Sequence, residues 1–229
     1  MTITVLAADP ERGELGAVIT SSSPAVGARC VQVLAGVGAA ASQNVTDPRL
    51  RGRLLEELTS AGDVTVAVDR VWEMAEHAEH RQLALIDASG NPAARSGAGA
   101  LGVHGAVAGH GCVVVGNLLA RQGVLDAARV AFELAAGPLA GRLLSALRAA
   151  VAAGGEAGPV RSAALVVACD PAWPVVDLRV DDHDDPVLEL ERLWSLYAPL
   201  AADYVTRAVD PATAPAFGVP GEAGDGVSR

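Results

Sequence analysis

Residues 1–22 read MTITVLAADPERGELGAVITSS, and the fold turns on how this stretch is paired. Residues 2–8 (TITVLAA) and the run from Glu14 (ELGAVITSS) are apolar or β-branched almost throughout, which predicts two strands covered on both faces. Asp9-Pro10-Glu11-Arg12-Gly13 between them is turn chemistry, with Gly13 able to take a positive φ, so the two strands should form a hairpin. Further strands are expected near 28–34 and 37–44, separated by Gly36 and Gly38. Consecutive strands with tight turns imply an antiparallel sheet.

Working outward, Asp47-Pro48 should cap and open a helix to about Ser60, with Leu50, Leu54, Leu55 and Leu58 on one side. Asp63 should cap a second helix carrying Val64, Val68, Val71, Trp72 and Ala75 as its stripe. A second block of strands follows: RQLALIDASGNPA (81–93), 103–108 and 112–116. Helices near 122–136 and 138–153 are divided at Gly137-Pro138. Two long strands, AALVVAC (163–169) and VVDLRV (175–180), precede a helix opened by Asp184-Asp185-Pro186 and running to about Arg207.

Buried antiparallel strands and helices in separate blocks predict an α+β fold. A four-layer αββα sandwich, two antiparallel sheets face to face with helices outside, satisfies both patterns. One sheet with helices on a single face is the alternative. Residues 1–208 should form one domain, and 209–229, rich in Pro, Gly and Ala, a disordered tail. Only 3% of residues are aromatic while 51% are hydrophobic, so Val, Leu and Ala must build the core.

A net charge of −10 and a pI near 4.9 argue against a nucleic-acid partner. All 17 basic residues are arginine, so no lysine is available as a base or for a Schiff base. Cys30, Cys112 and Cys169 stand alone in apolar runs, the pattern of buried thiols in a reducing compartment. No signal-peptide pattern or spanning stretch is present, so a cytoplasmic protein without membrane contact is expected. A homo-oligomer, by default a dimer, is expected on the same composition.

Metal chemistry is the first site hypothesis to weigh. His77 and His80 are neighbours on a helix surface, yet spacing supplies no third or fourth ligand, and a solvated helix end explains them better. His104 and His110 flank a glycine-rich turn and carry no ligand spacing of their own. The run Asp181-Asp182-His183-Asp184-Asp185 lies where a helix needs caps, which accounts for it without a cation. No metal and no cofactor is expected. There is no G-x-S-x-G elbow, no G-x-G-x-x-G and no P-loop pattern.

Thr2 offers different chemistry. If Met1 were removed, Thr2 would carry a nucleophilic hydroxyl beside its own α-amine as general base; the bland reading is a hydroxyl that merely starts an edge strand. Gly116-Asn117 and Gln43-Asn44 end strands, where Asn117 or Asn44 can donate to an oxyanion or simply form a turn.

These segments resemble a known family. TITVLAADPERGELGAVITSSSPAVGA, RQLALIDASGNPAARSG, VVVGNLLA, RSAALVV and VVDLRVDDHDDPVLELERL are similar to the bacterial family catalogued as domain of unknown function 1028, over residues 2 to about 200. The resemblance implies an N-terminal nucleophile (Ntn) hydrolase-like αββα sandwich. The opening also resembles proteasome-type β subunits, which by likeness puts Thr2 at the nucleophile and Ser21 or Ser22 at an orienting position. The chain departs from those subunits in lacking a lysine on the third strand, where only Arg29 and Gln32 are near. It also reads Thr2-Ile3-Thr4 where the family reads T-F-S, so Thr4 keeps a second hydroxyl, and Val160-Arg161-Ser162 where the family tends to R-Q-S.

The resemblance implies a hydrolase of an amide or other C–N bond, an amidohydrolase or deaminase acting on a small carboxylated molecule. Thr2 or Thr4, Ser21, Ser22, Asn117 and Asn44 are the expected catalytic set. Arg29, Gln43, Arg81 and Ser162 are the expected substrate-binding set, with Arg29 or Arg81 gripping a carboxylate. The alternative is a member of the fold without catalysis that binds a small molecule or assembles.

Overall fold

The computed structural model describes residues 1–216; the part of the expected tail beyond them lies outside the described residues. β1 (Thr2–Asp9) and β2 (Glu14–Ser21) form the expected hairpin, in the register Thr2 opposite Ser21 through Asp9 opposite Glu14. They occupy the middle of a six-stranded sheet with β7 (Val103–Gly109), β8 (Cys112–Leu119), β9 (Ser162–Ala168) and β10 (Pro174–Val180). Its order is β10-β9-β2-β1-β8-β7, every pairing antiparallel. A second antiparallel sheet of four takes β3 (Val31–Leu34), β4 (Gly38–Asn44), β5 (Arg81–Asp87) and β6 (Pro92–Ser96) in chain order.

The strand period of two sorts the core into three parts. Leu6, Ala8, Leu15, Ala17 and Ile19 meet Ala39, Ala41, Ala84 and Ile86 between the sheets. Ile3, Val5, Ala7 and Val18 face the other way, onto α4 (Val124–Leu134), α5 (Leu139–Ala152) and α6 (Pro186–Tyr197). Ala40, Leu83 and Leu85 of the small sheet pack on α2 (Pro48–Ala61) and α3 (Val64–Met74). The architecture is therefore a four-layer α+β sandwich of two antiparallel sheets flanked by helices, not one sheet with helices on a single face. Small residues set the separation between the sheets: alanine dominates the facing positions, so the backbones approach closely.

Helix starts follow the expected local chemistry. Asp47 accepts from the Arg49 N–H, Asp63 from those of Thr65 and Val66, and Asp185 from that of Leu188. Two boundaries differ from expectation. Residues 26–30 are a short helix, α1 (Val26–Cys30), rather than the beginning of a strand. Its start is fixed by distant groups: the Ala25 N–H donates to the Asp181 carbonyl and that of Val26 to Ser162 Oγ. Gly27 then lies so close to β9 that a Cβ there would stand 2.3 Å from Ala164 Cβ. The last helix is not continuous either; a 3-10 turn at Ala198–Leu200, which includes Pro199, separates α6 from α7 (Ala201–Val209). Among the described residues no helix is long and apolar enough to cross a membrane.

Candidate active site

In the space between the sheets, polar residues replace apolar ones at one end of the sandwich. Thr2 and Thr4 on β1, Ser21 on β2, Asn117 on β8, Ser162 on β9, Gln43 on β4 and Gln82 on β5 are all buried, Thr2 being the most exposed at 6%. They continue the rows of side chains that elsewhere fill the space between the sheets, so they converge there. In register, Thr2 lies directly opposite Ser21 on one side and Asn117 on the other.

Two hydrogen-bonded groups make up this cluster. In the first, the carbonyl oxygen of Met1 accepts from Thr2 Oγ1 at 2.6 Å and from Ser21 Oγ at 2.5 Å. Ser21 Oγ is also 3.3 Å from Thr2 Oγ1 and 3.1 Å from Ser23 Oγ. In the second, Thr4 Oγ1 donates to Gln43 Oε1 (2.5 Å), and Gln43 Nε2 donates to Gln82 Oε1 (2.7 Å). Gln82 Oε1 also accepts from Asn117 Nδ2 at 3.3 Å. Gln82 Nε2 donates onward among Ser96 Oγ, the Gly105 carbonyl and the Gly116 carbonyl. Asn117 Oδ1 is buried with no hydrogen-bond partner.

Two residues of this end, Gln82 and Glu156, went unread in the sequence. Glu156, 7% exposed, follows α5 in a glycine-rich loop bridged to Leu119 of β8. Its Oε2 accepts the Ser22 N–H at 3.1 Å, while Oε1 is buried without a partner. Burial pushes its carboxyl up to about 8, and the N-terminal amine and the Ser22 N–H hold it below what burial alone would give. The one available signal was an acid in an otherwise apolar and glycine-rich run, GGEAGPV.

The remaining expected residues are distributed as follows. Ser22 contributes its backbone N–H to Glu156 rather than its hydroxyl to Thr2. Arg29 is half-buried beside the cluster, donating to Ser23 Oγ and the Pro24 carbonyl. Ser162 is tied into the fold, donating to the Ser23 carbonyl at 2.6 Å and accepting from the Val26 N–H at 3.1 Å. Asn44, at φ 79, spends its amide on the His80 carbonyl and the Leu101 N–H, so it fastens the 97–102 loop. Arg81 donates to the Val45 carbonyl, and its Nε is buried without a partner.

The histidines do not converge. His77 caps a 3-10 turn at φ 57, His104 Nδ1 contacts the Gly102 carbonyl, and the His110 N–H donates to Glu133. Among the described residues no three of His, Cys, Asp and Glu are grouped to hold a metal ion. Asp182 and Asp184 pair with Arg161, and Asp185 caps α6, which uses up most of the acidic run. Burial pushes the Cys30 thiol up and that of Cys112 up to about 11, away from nucleophilic thiolates.

A cleft of about 480 Å³ opens at the opposite end of the molecule, lined by Asp9, Arg12, Asn91, His110 and Arg142 among others. It is some seven residues along β1 from Thr2, roughly 23 Å at strand rise. Its charges are mutually engaged, Asp9 taking both Arg12 and Arg142. The convergent hydroxyls and amides are all at the Thr2 end, so chemistry favours that end over the cleft.

Comparisons with known proteins agree with the fold and name a family. Residues 2–190 match the family of unknown function DUF1028. The crystal structure of a Silicibacter pomeroyi protein labelled with that same family is similar at 32% identity and a TM-score of 0.83, covering 89% of each chain. Anbu, the ancestral β-subunit from Yersinia bercovieri, is similar at 10% identity and a TM-score of 0.39 over 90% of this chain and 97% of its own, too low to carry weight. None of the curated proteins matches. A match over most of the length, with a third of the residues identical in a structure of the same shape, leaves one conclusion: the chain belongs to the DUF1028 family.

Proposed function

We propose that the chain is a hydrolase of the N-terminal nucleophile type, cleaving an amide or related C–N bond of a small carboxylated molecule, with Thr2 as nucleophile. One observation carries the reading: the Met1 carbonyl is held by two hydroxyls, Thr2 Oγ1 and Ser21 Oγ, at the buried end of the space between the sheets. Cleavage of the Met1–Thr2 peptide bond releases both hydroxyls and turns the Thr2 nitrogen into an amine. An α-amine with an ordinary pKa of about 7.7–8.0 accepts the hydroxyl proton near neutral pH.

In this mechanism Thr2 Oγ1 attacks the substrate carbonyl carbon and the Thr2 amine takes the proton. Ser21 Oγ, already a donor to a carbonyl oxygen at that place, stabilises the oxyanion. One such donor is typically worth about 3–4 kcal/mol. Asn117, in register beside Thr2, fixes the far side through Gln82. Arg29 is the cation nearest in sequence and contact to the serine loop, so it is assigned the substrate carboxylate. Thr4 is committed to Gln43 inside the amide network, which favours Thr2 over Thr4 as the reacting hydroxyl.

The test has three parts. Intact mass should show that Met1 is absent from active protein. A carbonyl electrophile should label Thr2. Thr2→Ala should lose roughly three or more orders of magnitude in turnover, while Thr2→Ser keeps a measurable part of it. Full activity with Met1 in place, or in Thr2→Ala, removes the proposal. A non-catalytic ligand-binding role is the second reading, and the 480 Å³ cleft remote from Thr2 is what favours it. Tight ligand binding there by protein that retains Met1 would select it.

A further inference from the structure

Two backbone carbonyls fix the polarity of the amide chain between the sheets. Gln82 Nε2 reaches the carbonyl oxygens of Gly105 and Gly116, which can only accept, so Gln82 Oε1 must face Gln43 and Asn117. Both of those residues therefore turn their amide N–H groups toward Gln82. Gln43 Oε1 is left for Thr4 Oγ1, which donates to it. Asn117 Oδ1 is left with nothing: the residue is fully buried and that oxygen has no partner. Asn117 thus presents an acceptor to its surroundings, the reverse of the donor an oxyanion requires.

Thr2 lies beside that residue. The two are directly opposed in the register of β1 on β8, both on the face between the sheets, where such a pair has its Cβ atoms about 5 Å apart. On the other side of β8, His104 gives its Nδ1 hydrogen to the Gly102 carbonyl. While Met1 is attached, the Thr2 hydroxyl is spent on the Met1 carbonyl, and the Thr2 nitrogen is a planar amide with a single hydrogen. Loss of Met1 turns that nitrogen into an amine with more hydrogens, free to rotate about the N–Cα bond.

We infer that Asn117 is a positioning residue for the processed amine: its Oδ1 accepts a hydrogen of the Thr2 amine and so restrains the nitrogen lone pair toward Thr2 Oγ1. The inference rests on the Thr2 reading above and deepens it, assigning Asn117 to the general base rather than to the oxyanion. A buried carbonyl without a donor is costly, and the amine created beside it supplies the donor. Gln82 and Gln43 gain a role with it. Held by the Gly105 and Gly116 carbonyls, they keep the Asn117 amide in the orientation that offers oxygen.

The chain has no lysine, so the α-amine is its one amine nitrogen, and NMR of uniformly nitrogen-labelled protein follows its titration directly. Wild type, Asn117→Leu and Asn117→Asp are titrated as protein whose intact mass lacks Met1. Leu keeps the shape of Asn and leaves Gln82 Oε1 with Gln43 as its donor. Having lost an acceptor that favours the charged amine, Asn117→Leu should titrate about half a pH unit or more below wild type. Asn117→Asp sets a carboxylate at the same place and should titrate about one unit or more above it. Glu156, Arg29 and Arg161, charged groups at this end, are the same in all three proteins. The acid limb of Thr2 acylation by 4-nitrophenyl acetate should move with the amine, a shift that a merely structural Asn117 would not produce. A midpoint unchanged in Asn117→Leu overturns the inference; should that variant not fold, a midpoint not raised in Asn117→Asp overturns it. Either result leaves the nucleophile to its own tests. Shifted midpoints without acylation of Thr2 uphold the Asn117 contact and remove the nucleophile. Retention of Met1 by all of the folded protein removes both.

Discussion

Replacing Glu156 by Gln should change how stability depends on pH, whatever the protein catalyses. In the fold the carboxyl is raised from 4.5 to about 8, chiefly by burial. Between those values the folded chain holds a proton that the unfolded chain has released, so stability must fall as pH rises. The stability tied to that proton is complete below about pH 4.5 and fully lost above about pH 8. At about 1.4 kcal/mol per pH unit, the loss between pH 5 and pH 8 is on the order of several kcal/mol. Because the side chain is 7% exposed, solvent screening removes little of it. Gln has nearly the shape of the protonated acid and does not titrate. Urea unfolding of the two proteins at pH 5, 6, 7 and 8 should therefore give nearly equal stabilities at pH 5. By pH 8 the Gln variant should lead by several kcal/mol. Curves that run parallel across this range, with a constant difference, would refute the burial argument for Glu156.

Other perturbations have equally definite outcomes. Gly27→Ala should destabilise the fold by about 1–3 kcal/mol, because its methyl would meet Ala164; the pair Gly27→Ala with Ala164→Gly should recover most of that in thermal unfolding. Gln82→Met keeps volume but strands the amide donors of Gln43 and Asn117, so chemical denaturation should show a loss of about 2–5 kcal/mol. Asp47→Ala removes the cap of α2 and should cost about 1 kcal/mol at neutral pH. The Arg49 guanidinium holds that carboxyl down at about 2, so the stability it provides should vanish as pH falls from about 4 through 2, and a pH titration of the variant against wild type should converge there.

Much of the fold was legible because it depends on local chemistry. Strands that are apolar on both faces must be covered on both faces, which is why TITVLAA and ELGAVITSS pointed to a layered sandwich. Asp47-Pro48, Asp63 and Asp185-Pro186 announced helix starts because a capping carboxylate needs only the two or three N–H groups that follow it. The short helix at Val26–Cys30 was not legible. Its local sequence is apolar enough for a strand, and the choice is made by Ser162 and Asp181, each more than 130 residues away in sequence.

The candidate site divides along the same line. Sequence alone determined that Thr2, Thr4, Gln43 and Asn117 are polar positions at the ends of buried strands, and that no lysine can serve among them. Only the tertiary structure decided which of them share a place. Thr4 meets Gln43 across the two sheets, and Asn117 joins them through Gln82. Glu156 reaches Ser22 from a loop that sequence gave no reason to bring there. Periodicity within one strand fixes the face a side chain takes. Which strands stack, and in what register their polar ends coincide, depends on packing summed over both sheets, and no single segment carries that information.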